Sequence, residues 1–457
     1  MTTAARALLI GVLIAAPAPA YAAERLCDAS FQNCRTPLLE LIRNERVGID
    51  VGFWFMEDTR VSTALIDRWK AGVPVRIIMD TRANPSYPKN VPILQAFADA
   101  GIPMREKTSG GIVHWKTMIF AGQHVVEFSG ANFTPHAFYP ATAYVDYIDE
   151  VIYFSDDPAI VNSFKTKFDD VWTATSGYRD YANVTSLARH YPRSTIDPEL
   201  NFVPGEDFAA RSVKHYDAET RGIDAIIYRI TDKRHTDALI AARRRGVPVR
   251  IITEPGQYRD KKRIWHSWNV DRMYMAGIQL RHRKHTGWLH QKSTILVGQG
   301  LTIFGSSNWT SPSATSQLEH NIFTRRSLFF SFFRDQFARK WGNLAGYAET
   351  TEFVPLAPDA PSRPSPANGA TGQPLTVTLK WNGGPWAHRY DVYFGTDPNA
   401  LTKILSDKNL GPSETSSQLK SHSVSGLVRG RTYYWKVVGR TMANRTKSSA
   451  VWYFRTY

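Results

Sequence analysis

Two short runs of this chain carry the same chemistry. One reads VHWKTMIFAGQHVVEFSGANFT and holds His114, Lys116 and Asn132; the other reads LHQKSTILVGQGLTIFGSSNWT and holds His290, Lys292 and Asn308. In both, one residue separates histidine from lysine, and the asparagine follows the histidine by 18 positions (132 − 114 and 308 − 290). Alternate residues of a strand point to one face, so each imidazole shares a face with an ammonium. A neutral imidazole beside a fixed positive charge suits attack on an anionic phosphorus ester. Two such sets can divide the acid and base work of a single reaction.

The elements that must position these side chains are duplicated too. AGVPVRIIMD, from Ala71, matches RGVPVRIITE, from Arg245, and Gly48-Ile49-Asp50 matches Gly222-Ile223-Asp224 at the same offset of 174 (245 − 71 and 222 − 48). Ala100-Gly101-Ile102 matches Ala276-Gly277-Ile278 at 176 (276 − 100), the offset of the His, Lys and Asn pairs. A nearly constant offset over roughly a hundred residues marks two copies of one structural unit. Two copies imply a closed pseudo-twofold pair, not a solenoid.

Within each copy, strands alternate with helices. In the first, 36–46 reads as helix, 47–55 as strand, 73–80 as buried strand, 91–100 as helix and 102–107 as strand. The motif strand begins near 113, followed by strands at 125–130 and 147–154. A closing helix carries Phe164, Phe168 and Trp172 at i, i+4 and i+8, repeated as Phe333, Phe337 and Trp341, an aromatic stripe expected in the core. The fold class is therefore α/β: two tandem α-β-α units in pseudo-twofold arrangement, 23–176 and 198–350, joined by a connector at 177–197. A Pro/Ala/Ser linker at 351–372 is expected to be extended and exposed. Short alternating segments over 373–457 predict a C-terminal all-β sandwich, with Trp381, Tyr390, Tyr433 and Trp435 in its core. This tail resembles fibronectin type III or related immunoglobulin-like modules, which implies an accessory or adhesion role without naming a ligand.

Residues 1–22 read as a secretory signal peptide: Arg6, an apolar run at 7–16, then small residues ending Ala20-Tyr21-Ala22. The run is too short to span a bilayer easily, so the protein is expected to be secreted or periplasmic. Its two cysteines, Cys27 and Cys34, are then expected to form one disulfide. The net charge of +15 implies anionic partners, either a phospholipid or membrane surface or nucleic acid. With no Cys cluster and no helical His-x-x-x-His or Glu-x-x-His pair, neither metal nor cofactor is expected. Both half-sites lie in one chain, which is expected to act as a monomer.

The two runs resemble the half-motifs of the phospholipase D superfamily: His-x-Lys, four residues, an Asp, a Gly/Ser-rich strand ending in Asn, then a downstream acid. Here they stand as HWK…SGANFT…YIDEVIYF and HQK…GSSNWT…QLEHNIF, within a resemblance covering most of 25–350. Both copies depart from the pattern at the Asp, replaced by Ala121 and Val297. The resemblance implies a phosphoric diester hydrolase working through a covalent phosphohistidine. It makes one of His114 and His290 the nucleophile, His114 being the expected one, and the other the proton donor, with Lys116, Lys292, Asn132 and Asn308 on the phosphate oxygens. Asp149 and Glu319 fit as carboxylates fixing the imidazole tautomers, with Glu150 as the alternative in the first copy. Ser129, Ser306 and Ser307 are candidate hydroxyl donors to phosphate. Trp115 is expected to face the core, Trp288 flanks the second motif, and the run from Arg281 to His285 is a candidate guide for anions. Three functions follow: an exported phospholipase acting on phospholipid, a secreted or periplasmic nuclease, or an inactive module that binds anionic ligands.

Overall fold

Near-continuous runs of Val, Ile and Phe, suited to strands buried on both faces, build two eight-stranded sheets. The computed structural model describes residues 24–185, 189–411 and 418–457; the signal peptide expected at 1–22 lies outside the described residues. In chain order the first unit comprises β1 (Arg25–Asp28), α1 (Arg35–Asn44), β2 (Ile49–Phe53), α2 (Thr59–Lys70), β3 (Val75–Met79), α3 (Asn90–Asp99), β4 (Met104–Lys107), β5 (Lys116–Phe120), β6 (Val125–Ser129), β7 (Asp146–Asp149), β8 (Val151–Ser155), α4 (Pro158–Trp172) and β9 (Tyr178–Ala182). The second comprises β10 (Leu200–Val203), α5 (Phe208–Ala218), β11 (Ile223–Ile227), α6 (Lys233–Arg244), β12 (Val249–Thr253), α7 (Pro255–Tyr258), α8 (Ile264–Met275), β13 (Gln279–Arg283), β14 (Thr286–Leu289), β15 (Lys292–Leu296), β16 (Leu301–Gly305), α9 (Ser311–Thr315), β17 (Glu319–Thr324), α10 (Ser327–Gly342) and β18 (Thr350–Glu352).

The first sheet runs β1-β8-β6-β5-β2-β3-β4-β9 and the second β10-β17-β16-β15-β11-β12-β13-β18. Strand for strand these orders are the same, so the duplication read from sequence is a duplication of topology. The repeated Gly-Ile-Asp and Val-Arg segments explain each other in this frame. Asp50 on β2 and Arg76 on β3 form a two-bond ion pair at 2.7 and 3.0 Å, and Asp224 and Arg250 do the same at 2.7 and 2.7 Å. Each guanidinium also lies over the closing-helix aromatics, Phe168 and Trp172 or Phe337 and Trp341. The aromatic stripes of α4 and α10 thus pack inward as expected. They join Phe128, Tyr153, Phe304, Phe329 and Trp115 in one apolar cluster that spans both units.

The units also exchange backbone hydrogen bonds. β14 of the second pairs in parallel with β7 of the first, Trp288 opposite Ile148 and Leu289 opposite Asp149. The equivalent contact on the other side is a bridge between Val113 and Leu318. Two glycines at the 176 offset make these crossings possible. A Cβ on Gly287 would stand 2.2 Å from the carbonyl oxygen of Tyr147, and one on Gly111 would stand 2.3 Å from that of Ser316. Only glycine lets two backbones come this close.

The connector and linker are more ordered than their composition suggests. Residues 177–197 contribute β9 to the first sheet, and their Arg189 and Tyr191 both bond to Asp50. Residues 351–372, expected to be an exposed linker, carry most of β18 on the second sheet. They also carry β19 (Ser362–Ser365) and the start of β20 (Ala370–Gln373). These edge strands pair through backbone groups, which Pro/Ala/Ser composition does not announce. The sandwich continues with β21 (Val377–Asn382), β22 (Arg389–Gly395), β23 (Thr402–Asn409), β24 (Leu419–Val424), β25 (Thr432–Arg440), β26 (Thr446–Ser448) and β27 (Trp452–Thr456). One sheet is β19-β21-β24; the other is β20-β27-β25-β22-β23, with β26 on β25. Trp381, Tyr390, Tyr433 and Trp435 are all buried between them. Cys27 on β1 and Cys34 before α1 are joined as a disulfide. Among the described residues, no helix is long and apolar enough to cross a membrane.

Candidate active site

Both histidines stand two residues before an inner strand, where the crossed backbone pairs deliver them to the seam between units. The amide of His114 donates to the carbonyl of Leu318 (3.0 Å), and that of His290 to the carbonyl of Asp149 (3.1 Å). The residues after those carbonyls are Glu319 and Glu150. Hence His114 Nδ1 lies 2.8 Å from Glu319 Oε2, and His290 Nδ1 lies 2.5 Å from Glu150 Oε1. Each imidazole is held by a carboxylate of the opposite unit. A carboxylate at Nδ1 places the proton on that nitrogen and leaves Nε2 for chemistry.

This geometry corrects one sequence-based assignment. Asp149 does not hold an imidazole; its Oδ1 pairs with Lys340 at 3.1 Å, in a buried network with Tyr147 and Glu349. The residue equivalent to Glu319 is Glu150. Glu150 immediately precedes β8, which pairs with β6, and Glu319 begins β17, which pairs with β16, in registers where Ile152 faces Ser129 and Asn321 faces Gly305. A strand reverses faces at each residue, so a one-residue slip in alignment selects the wrong carboxylate. The spacing Glu-x-x-x-Phe, present as Glu150…Phe154 and Glu319…Phe323, carries the right register.

His114 and His290 open on one cleft of about 700 Å³, together with Asn132, Asn308 and Glu150. The side-chain oxygens of both asparagines are buried and have no hydrogen-bond partner among the described residues. Nδ2 of each, the donor, likewise has no hydrogen-bond partner among the described residues and is left to donate to a ligand in the cleft. Lys116 and Lys292 are almost fully buried behind the histidines and donate to the carbonyls of His114 and His290. Lys292 Nζ also stands 3.0 Å from Nδ1 of His290.

Burial dominates the electrostatics. It lowers both imidazoles well below their ordinary range, and Lys116 and Lys292 push the same way, so the resting rings are neutral. Burial raises Glu150 and Glu319 to about 7 and lowers Lys292 to about 8. Glu254 favours the charged form of His290.

Other candidates lie elsewhere. The hydroxyl of Ser129 donates to Glu127, and that of Ser306 donates to Glu319 at 2.5 Å. Neither serine lines the cleft, so neither is a phosphate donor; Ser306 instead steadies a carboxylate. Ser307 bonds to Asn321. Ser129 ends β6 and Ser306 follows β16, where strand carboxylates take up their hydroxyls. No residue of the run from Arg281 to His285 lines the cleft. The run begins within β13, where Arg283 pairs with Glu254, and His285 stacks on Tyr147. Trp115 is buried in the core, whereas Trp288 is half exposed at the cleft rim.

The positions that lack the expected aspartate, Ala121 and Val297, lie at the far end of the motif strands. There Glu45 Oε1 accepts from the amides of Val47, Gly48 and Gly122, and Glu219 Oε1 from those of Arg221, Gly222 and Gly298. A carboxylate organises this turn in both copies, supplied from another element. The sequence reading also missed Phe55, Tyr87, Tyr228, Arg229 and Arg263, which line the cleft. Their signal was a break in the repeat: Phe55 and Arg229 are 174 apart (229 − 55) yet unlike. Among the described residues, no group of three or more His, Cys, Asp or Glu side chains is placed to hold a metal ion.

Comparison with known proteins gives this geometry a context. The chain is 27% identical over 132 residues to the mitochondrial cardiolipin hydrolase of Chlamydomonas reinhardtii, covering 29% of this chain and 56% of that protein. It is 26% identical over 137 residues to the human mitochondrial cardiolipin hydrolase, covering 30% and 52%. The chain thus spans about half the length of the curated relatives it matches. Its fold is shared by the phosphatidylserine synthase of Haemophilus influenzae Rd KW20, with a TM-score of 0.56 at 12% identity, over 72% of this chain and 87% of that one. The profile of one family, described as "Cardiolipin synthase, PLD-like domain", matches residues 38–172 and 217–341, the two units that bring His114 and His290 together. On that match, which takes in more than half of its length, the chain belongs to the phospholipase D-like family.

Proposed function

We propose that the protein is an exported phosphodiesterase of the phospholipase D type that hydrolyses phospholipid phosphodiester bonds through a phosphohistidine. The observation that carries this reading is the crossed pair of His–Glu contacts on a single cleft. Neutral His114, its Nδ1 proton held by Glu319, attacks phosphorus with the lone pair on Nε2. The bond from phosphorus to the leaving alcohol oxygen breaks, and His290 gives that oxygen a proton. Water then attacks the phosphohistidine, His290 takes its proton, and the P–N bond breaks to release His114. The bound diester's negative charge raises His290 towards protonation, as Glu254 does. The diester acts on both rings, whereas Glu254 acts on His290, and that difference favours His290 as acid and His114 as nucleophile. Asn132 and Asn308 hold the non-bridging oxygens, while the buried ammoniums of Lys116 and Lys292 stabilise the added charge.

The curated relatives named as cardiolipin hydrolases, and the apolar wall of the cleft, favour lipid. Nucleic acid is the second reading, favoured by the net charge of +15. The test is incubation of the purified protein with mixed phospholipid vesicles and, separately, with DNA and RNA. Release of a free head group supports the proposal. Cleavage of nucleic acid alone selects the second reading, and turnover of neither substrate leaves an anion-binding module.

A further inference from the structure

The pseudo-twofold is broken at one point in the cleft. β2 and β11 end on equivalent residues, Phe53 and Ile227, each opposite the motif lysine of its own unit. Three positions on, Met56 and Ile230 bridge to Phe133 and Trp309, the residues after the motif asparagines. Phe55 and Arg229, between these fixed points, are therefore structural equivalents. Phe55 stacks on Tyr87, centroids 3.6 Å apart and planes within 8°.

Arg229 lines the same cleft in a different chemical state. Its Nε donates to Gln257 Oε1 at 2.8 Å, and its guanidinium lies over the ring of Tyr228. Both partners are neutral, and Arg229 forms no ion pair among the described residues. A largely enclosed guanidinium without a counter-ion is costly unless an anion reaches it. Its charge is felt at both His114 and His290, and Arg263 lines the cleft with it. Phe55 and Tyr87, which line the same cleft, offer flat apolar area.

We propose that Arg229 seats a second anionic group: the cleft takes a phosphodiester bearing a further phosphate a few atoms from the scissile one. The second phosphate meets the guanidinium fork, and the uncharged part of the substrate lies against Phe55 and Tyr87. Bound in one direction only, the substrate always shows its leaving oxygen to the same histidine. Arg229 thus adds to Glu254 in dividing labour between the two rings. The proposal rests on the phosphodiesterase reading of this cleft and names its substrate class.

The test is calorimetric binding of alkane-α,ω-bisphosphonates of one to four carbons, and of methylphosphonate, to the full chain and to Arg229→Gln. The best bisphosphonate is expected to bind wild type at least about tenfold tighter than methylphosphonate, and Arg229→Gln to remove most of that advantage. Equal affinity for both ligands in wild type overturns the proposal without needing a variant, as does an advantage that survives the substitution. Turnover identifies the source of the second phosphate. Wild type is compared on a diphosphate and a monophosphate lipid in one detergent, and on a trinucleotide and a dinucleotide. A preference for the doubly charged member in either pair, reduced in Arg229→Gln, supports the proposal; preference in neither overturns it. Hydrolysis of bis(4-nitrophenyl) phosphate is followed in parallel. Its absence in wild type sinks the catalytic reading, whereas the binding ratio judges Arg229 by itself.

Discussion

The Nδ1 of His114 lies 2.8 Å from Oε2 of Glu319, a residue 205 positions away in the chain and in the other unit. His290 and Glu150 repeat the contact in reverse. A substitution in either unit therefore disables the imidazole of the other. Glu319→Gln and Glu150→Gln are each expected to lower kcat by about 10- to 100-fold. His114→Ala and His290→Ala should each abolish turnover, and protein quenched in alkaline denaturant should carry the acid-labile label on His114. Full turnover by either alanine variant would refute a shared site. Asp149→Asn, which removes a partner of Lys340, should reduce activity per folded molecule far less than Glu150→Gln.

A bell-shaped pH dependence is expected. Burial brings Glu150 and Glu319 to about 7, so they take up protons and loosen the imidazoles as pH falls through that value. Burial brings Lys292 to about 8, so its charge is lost as pH rises through that value. The logarithm of kcat/KM on bis(4-nitrophenyl) phosphate should peak between these limits and decline on both sides. A profile flat from about pH 5 to about pH 10 would remove these groups from the chemistry.

Gly111→Ala and Gly287→Ala test the crossings. Each added methyl meets a backbone carbonyl of the opposite unit at 2.3 or 2.2 Å. Relief by a shift of about 1 Å is enough to cost on the order of 100-fold in rate. Stability should fall by about 1–3 kcal/mol. Wild-type kinetics in both variants would show that the backbone crossings do not position the histidines.

The two internal ion pairs should differ in strength. Arg76 and Asp50 side chains are 3% and 0% exposed, whereas Arg250 and Asp224 are 37% and 8% exposed. Arg76→Ala leaves the buried Asp50 carboxylate to Arg189 and Tyr191 alone and is expected to cost about 1.5–3 kcal/mol in urea unfolding. Arg250→Ala, closer to water, should cost about 1 kcal/mol.

Chelation should leave turnover unchanged, because every step assigned above uses a side chain. Assay in excess EDTA checks this; loss of activity restored by a divalent cation would require a different mechanism.

Much of this architecture was legible in the residues. Matched offsets reported two copies, and the closing-helix aromatics reported which helix face is buried. His114, Lys116 and Asn132, with their counterparts, reported which strand end carries chemistry. What could not be read was registration between the copies. Asp149 and Glu150 are neighbours of like charge, and only the partner strand, far off in sequence, decides which one faces an imidazole. The serines misled for a similar reason: Ser129 and Ser306 have the right type and position, but Glu127 and Glu319 claim their hydroxyls. Edge strands in the Pro-rich stretch were hidden because backbone pairing leaves little trace in composition.

The exchange of strands and carboxylates across the seam has a further result. Neither copy is a spare for the other, because each lends the group that its twin needs. Severing the polypeptide near residue 195 would yield two halves, inert apart, whose activity returns only on reassociation. On the walls of the groove, where no such exchange binds the copies, phenylalanine on one side and arginine on the other have parted ways.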